Sequence, residues 1–400
     1  MNGRNSTWFR LDSIPQRSLA VGVAALAVCL AGALFDTEQF FRSYLVAYLF
    51  AISFSLGCLA LVMLHHLVGG AWGFVIQRLL ESGIKTLPLM AVLFLPLIFG
   101  IHHLYPWAWP EAVAADPILQ RKTVYLNVPF FVLRTVLYFA IWIILSHFLN
   151  KWSLEQDRTA EASLTRRLQN LSGPGLILYG LTVTFSSIDW MMSLEPHWYS
   201  TIYGMMFMAS HGLAALALVI CVAYTMARSD PLARVIGPDH FHDLGNLLLA
   251  LVMFWAYLGF SQFMLVWMEN LKEETPWYYR RTSGGWQIVA VLLILGQFAL
   301  PFLLLLSRAA KRRPRILSGV ALAILFMHWV DLLWLVAPAF QPRGFYIHWL
   351  DIGALIGIGG IWMAAFLHRL GENSLLPLND PRFTETLQQA QRAQRWANPA

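Results

Sequence analysis

Charge is what this chain has least of. Only 12% of its 400 residues are Asp, Glu, Lys or Arg, about half the share found in soluble domains. With 58% hydrophobic residues and a mean hydropathy of +0.56, its surface cannot be mostly water-facing. The same scarcity of charge, with 14% aromatic content, excludes a disordered or fibrous chain. Redox ligation motifs are lacking too. Cys29, Cys58 and Cys221 are isolated in apolar runs, which excludes a disulfide scaffold, an iron–sulfur cluster and a Cys-x-x-Cys-His haem attachment. His65 and His66 share one end of an apolar run, as do His102 and His103, while His147, His211, His328, His348 and His368 occur singly. None of these patterns is the paired, four-turn spacing that holds haem b across helices. No covalently bound cofactor or metal is expected. Walker and Gly-rich phosphate loops are also missing, so an ATP-driven pump is excluded.

Long apolar runs are what is there. A bilayer core takes about 20 apolar residues as helix, and ten stretches reach that length: 19–35, 43–66, 86–105, 125–149, 174–194, 199–226, 241–269, 284–307, 315–337 and 347–368. Strand alternation is absent, and helices are the other way to satisfy backbone groups in lipid. The expected fold is all-α, a polytopic membrane protein with ten transmembrane helices. On the side expected to hold both ends of the chain lie 20 of the 28 Lys and Arg residues; 7 lie opposite and Arg134 is within a run. The positive-inside rule makes the richer side cytoplasmic. That placement accounts for the net charge of +6, and no nucleic acid is expected as a partner. Residues 1–18 and 371–400 then form cytoplasmic segments flanking a membrane domain at 19–370. Arg4, Arg10 and Arg17 ahead of the first run, with Ala31-Gly32-Ala33 behind it, also fit a signal peptide, although the run is long for one. Residues 67–85, with Arg78 and Lys85, read as a loop; Lys151 to Gln169 alternate in sign and read as a surface helix or a solvated loop.

Ionisable residues inside spans cost kilocalories each and mark function by default. Arg134, Asp189, Asp331, Asp351 and, at a span's outer end, Glu269 stand out. At about 1.5 Å per residue, Asp189 lies roughly 22 Å from the cytoplasmic start of its helix and Arg134 about 14 Å from the opposite end of its own. His328 with Asp331, and His348 with Asp351, are spaced i,i+3 and share a helix face. Tyr179, Thr182, Ser186, Asp189 and Ser193 form one polar stripe. Hydroxyls beside a carboxylate suit a proton relay; alone, they serve equally to bond their own carbonyls and hold helices together. A second group could hold a quinone head, which needs about two hydrogen-bond partners, a proton acceptor and a flat apolar slot. Its members are His102, His103, Gln262, Trp267 and Glu269, near span ends rich in aromatics; an interfacial aromatic belt predicts much the same composition. Gly353, Gly357, Gly359 and Gly360 allow close backbone approach.

The string from Asp189 through Trp190, Met191, Met192, Ser193, Leu194, Glu195, Pro196 and His197 to Trp198, continuing to Gly204, resembles a family signature. So does Trp267-Met268-Glu269-Asn270 ahead of the aromatic, basic turn at Trp277 to Arg281. The chain resembles the quinone-binding membrane subunits of alternative complex III, of the NrfD/polysulfide-reductase membrane-subunit superfamily, and among them the shorter second type. The resemblance runs from about Ser43 to His368. It implies two four-helix bundles, at about 43–194 and 199–337, with flanking helices. It further implies a bacterial inner-membrane quinol:cytochrome c oxidoreductase in which haem c and iron–sulfur subunits carry the electrons. Asp189, Glu195 and His197 match the motif and are carried over as candidates, Glu195 and His197 toward quinone. Arg134, Asp331 and Asp351 rest on burial alone. The expected function is therefore a subunit without its own redox cofactor, with lipid, quinone and the other membrane subunits as partners, that contributes to quinol contact or proton movement. Ion-coupled transport by the same buried charges, and a purely structural anchor, are the competing readings.

Overall fold

The computed structural model describes residues 13–228, 236–341 and 344–372. Residues 1–12 and 373–400 of the flanking segments expected from sequence lie outside the described residues, and residues 14–18 belong to the first span rather than to a segment before it. No described residue is in a strand, and ten helices are long and apolar enough to cross a membrane. The chain is an all-α, multi-pass membrane protein. The spans are Ile14–Ala33, Thr37–Val68, Trp72–Phe99, Val128–Thr159, Ser163–Leu194, Tyr203–Met226, Pro238–Glu269, Trp286–Leu306, Pro314–Ala339 and Trp349–Gly371.

Local chemistry sets their ends. Asp36 caps the second span by accepting from the Gln39 N–H, and Asn127 caps the fourth by accepting from Phe130. Pro129, Pro238 and Pro314 stand in first turns, where no N–H is needed. The fourth and seventh spans end on left-handed residues, Ala160 and Asn270.

Two expectations about loops are corrected. Residues 71–84 are helical and run through a turn at Lys85 and Thr86 into Leu87–Phe99, so Arg78 and Lys85 belong to the third span. Arg78 tolerates this because Glu81 and Asp157 both pair with it, with Gln77 and Ser153 bonded to Glu81. Likewise residues 151–169 are no separate surface element. They continue the fourth and fifth spans as a helical hairpin that turns at Ala160.

The second to fifth spans pack in one ring and the sixth to ninth in another, with the second touching the sixth and ninth where the rings meet. The first and tenth spans pair with each other and lean on the second. Their contact is glycine-lined, as the sequence suggests: a Cβ at Gly22 would meet the Ile361 N at 2.7 Å, and one at Gly360 the Gly22 Cα at 2.9 Å. Gly359 takes no part, facing open space. Lipid gives helices no hydrophobic reason to associate, so close packing and polar contacts must do it.

At the meeting of the rings, Gly57 lies so close to the sixth span that an added Cβ would overlap the His211 carbonyl oxygen. Backbone cannot move aside as a flexible side chain can. Gly57→Ala should therefore lower stability in detergent by about 1–3 kcal/mol, whereas Gly180→Ala, with nothing near its Cβ, should not. Thermal unfolding of the two variants checks the difference.

Candidate functional site

Three buried carboxylates of the sequence analysis lie in three separate surroundings. Asp189, fully buried, takes a two-pronged ion pair from Arg134, with Nε at 2.9 Å from Oδ2 and Nη2 at 2.8 Å from Oδ1. The Tyr138 hydroxyl adds a bond of 2.7 Å to Oδ2. Arg134 also donates to the Tyr125 carbonyl and lies over the Tyr125 and Phe130 rings at 3.8 and 4.3 Å. Every donor of this cluster comes from the fourth span or the turn before it, so it fastens the fourth span to the fifth.

The stripe above Asp189 is not joined end to end. Thr182 bonds the Leu178 carbonyl and accepts from the Trp142 indole, Ser186 bonds Val183, and Ser193 bonds the Asp189 carbonyl. The Tyr179 hydroxyl has no hydrogen-bond partner among the described residues. These hydroxyls serve their own helix and its neighbour, the packing role of such groups in membranes.

Asp351 sits in the first turn of the tenth span. It accepts from the His348 backbone N–H at 2.8 Å, from the Ser43 hydroxyl at 2.5 Å and from Gln39 at 3.4 Å. His348 in turn caps Leu350. Gln39 and Ser43, spaced i,i+4 at the start of the second span, are the partners that sequence reasoning missed.

Asp331 is different. It is 4% exposed and makes no ion pair among the described residues. Its hydrogen bonds come from the Ser210 hydroxyl at 3.2 Å and the Trp255 indole at 3.4 Å, both to Oδ2. A narrow cleft opens beside it, lined also by Tyr203, Phe207 and Met206, with room on the scale of a single water. One turn away, His328 exchanges a hydrogen bond of 2.9 Å with Ser53 of the second span. The His328 Nδ1, both ring nitrogens of buried His211 and both amide atoms of Gln297 have no hydrogen-bond partner among the described residues. Gln297 lies in a π-helical stretch, Ile294–Ala299, of the eighth span, a distortion frequent at functional sites. His328 and Asp331 do share a stretch of helix, but they face the second span and the sixth and seventh spans respectively.

The quinone candidates do not converge. The His103 ring stacks on Phe41, and His102 packs edge-on to Trp109, whose indole bonds the His102 carbonyl. Gln262 is buried and accepts from Ser200, while Glu269 and Trp267 are exposed. Glu195 and His197 belong to a knot on the face opposite the start of the first span. Glu195 pairs with Arg280 at 2.8 Å and Arg281 at 2.6 Å, and His197 with Asp116 at 2.6 Å. Trp198 stacks on Trp277 with centroids 4.5 Å apart, and Arg281 lies over Trp277 at 3.7 Å. Burial pulls the Arg281 guanidinium down from its ordinary value and the Glu195 carboxylate pulls it back. The Ile118 backbone N–H, with His197, holds the Asp116 carboxyl below the usual range. The Asp189 to Trp198 string is thus clamped from the first ring at one end and the second at the other.

No protein-family model matches this chain, and no curated protein is similar to it at a significant level.

Removing one member of a buried ion pair strands the other. Asp189→Asn should cost about 3–5 kcal/mol, seen as loss of folded protein from the membrane. The volume-matched double variant Arg134→Met with Asp189→Leu should recover most of it. Equal yields of Asp189→Asn and the parent chain would contradict a structural role.

Proposed function

We propose that this chain is an integral subunit of a quinol:cytochrome c-type oxidoreductase in a bacterial inner membrane, with both chain ends in the cytoplasm. In this reading it carries no redox cofactor of its own. It contributes quinol contact and proton movement, while haem c and iron–sulfur subunits take the electrons. The resemblance of the Asp189 to Trp198 string supplies the class.

The observation that carries the reading lies at the junction of the rings. Unpaired polar groups in a membrane interior cost several kilocalories each, and such groups are rarely retained without use. Here a carboxyl with no cation among the described residues and two imidazoles with unbonded ring nitrogens lie on the sixth and ninth spans, which both touch the second. Asp331 can take or give a proton without first breaking a salt bridge, which Asp189 cannot. Proton movement is accordingly assigned to Asp331, with Ser210, His211, His328 and Ser53 along the junction, and Asp189 is assigned to holding the first ring together.

Affinity-tagged protein purified in mild detergent should bring down haem- and iron–sulfur-bearing partners, read by visible spectra and mass spectrometry. A colourless chain on its own, from membranes known to hold such partners, would overturn the proposal and favour ion-coupled transport.

A further inference from the structure

We propose that the turn between the eighth and ninth spans binds the phosphate of an anionic phospholipid, with Arg308 and Arg315 as its principal contacts and the two helices as the bed for its acyl chains. The inference goes beyond the oxidoreductase reading and does not depend on it.

Uncompensated charge selects the head group. Arg308, Lys311, Arg312, Arg313 and Arg315 crowd one short segment, and no Asp or Glu occurs between Glu274 and Asp331. By contrast, residues 151–169 on the same face interleave Glu155, Asp157 and Glu161 with their cations. Backbone bonds from Lys311 to Ser307, Arg312 to Arg308, Arg313 to Ala310 and Leu317 to Arg313 wind the segment into one compact turn. Acids of the seventh span answer little of its charge: Asp239 pairs with Arg312 at 2.8 Å, and Asp243 lies 3.5 Å from His242. Arg308, Arg313 and Arg315 are exposed and make no ion pair among the described residues. Lys311 is 7% exposed, and its ammonium bonds the Asn246 amide oxygen at 2.6 Å rather than a carboxylate. A buried cation without an anion keeps its field, which favours a phosphate close by.

The helices beside the turn suit the tails. Arg315, Gly319, Leu322 and Phe326 follow spacings of 4, 3 and 4 and are all exposed. One stripe of the ninth span therefore runs from a cation at the membrane edge into lipid. A Cβ at Gly319 would meet nothing within 4 Å, which leaves a notch one turn from Arg315. Exposed Leu300, Leu303, Leu304 and Leu306 line the end of the eighth span next to Arg308, and the eighth span packs beside the ninth. A free phosphate would gain from the cations and nothing from these side chains, whereas a diacyl phospholipid uses both.

The test is native mass spectrometry of the full chain in mild detergent, titrated with dioleoyl phosphatidylglycerol or dioleoyl phosphatidylcholine. Phosphatidylglycerol should bind about tenfold more tightly, since only its head carries a net charge. The double variant Arg308→Gln with Arg315→Gln should lose about tenfold in that affinity, and Arg308→Lys with Arg315→Lys should keep most of it. Arg166→Gln with Arg167→Gln, exposed on the same face, should bind as the parent does. All four arginines are exposed, so thermal unfolding in lipid-free detergent should match the parent in every variant. Equal affinity for the two lipids would overturn the proposal. So would equal losses in the two glutamine variants, which would reduce the effect to the general positive charge of that face. Displacement of the lipid by millimolar inorganic phosphate would also overturn it, in favour of a soluble phosphate.

Discussion

The second span is the constraint on which the rest of the structure depends. It is 32 residues long, and 89% of its most apolar window is buried, so almost none of it meets lipid. A helix so placed cannot be held by hydrophobicity, because protein and lipid neighbours are equally apolar. It is held by short polar reaches and close backbone contact. Ser43 bonds Asp351 of the tenth span, Ser53 bonds His328 of the ninth, and Ser55 bonds both Thr86 and the Trp362 indole. Gly57 lets the sixth span come within backbone contact. Small and hydroxylated residues on one helix thus place both rings and the outer pair.

With the rings fixed, the carboxylates divide their work. Asp189 is saturated by a guanidinium and a phenol, and Asp351 by a helix end and the second span. Asp331 and Asp351 each line a narrow cleft, but of the three only Asp331 lacks a charged or backbone partner among the described residues. Proton chemistry needs a group whose two protonation states are both accessible. A bidentate ion pair removes that freedom, and a carboxyl bonded only by a hydroxyl and an indole keeps it.

Much of the fold was legible in the sequence because apolar length is a direct readout of bilayer thickness. The errors fell where charge is neutralised in three dimensions. Arg78 ends an apolar run by any hydropathy count, yet Glu81 and Asp157 let it stay inside a helix. The site was half legible for a related reason. Asp331 is conspicuous in its own span, but Ser210 and Trp255 come from helices more than 70 positions away. Nothing in a single sequence says which helix faces meet. The hydroxyl stripe beside Asp189 shows the converse limit: its spacing is real, and its bonds run to the helix's own carbonyls.

The account turns on which buried carboxyl handles protons. The direct measurement is quinol-driven proton release by the assembled complex in liposomes, with Asp331→Asn compared with the parent at equal subunit content. The account predicts that electron transfer to the acceptor slows and its accompanying proton release falls by about tenfold or more. Proton release per electron and turnover both equal to the parent would contradict it.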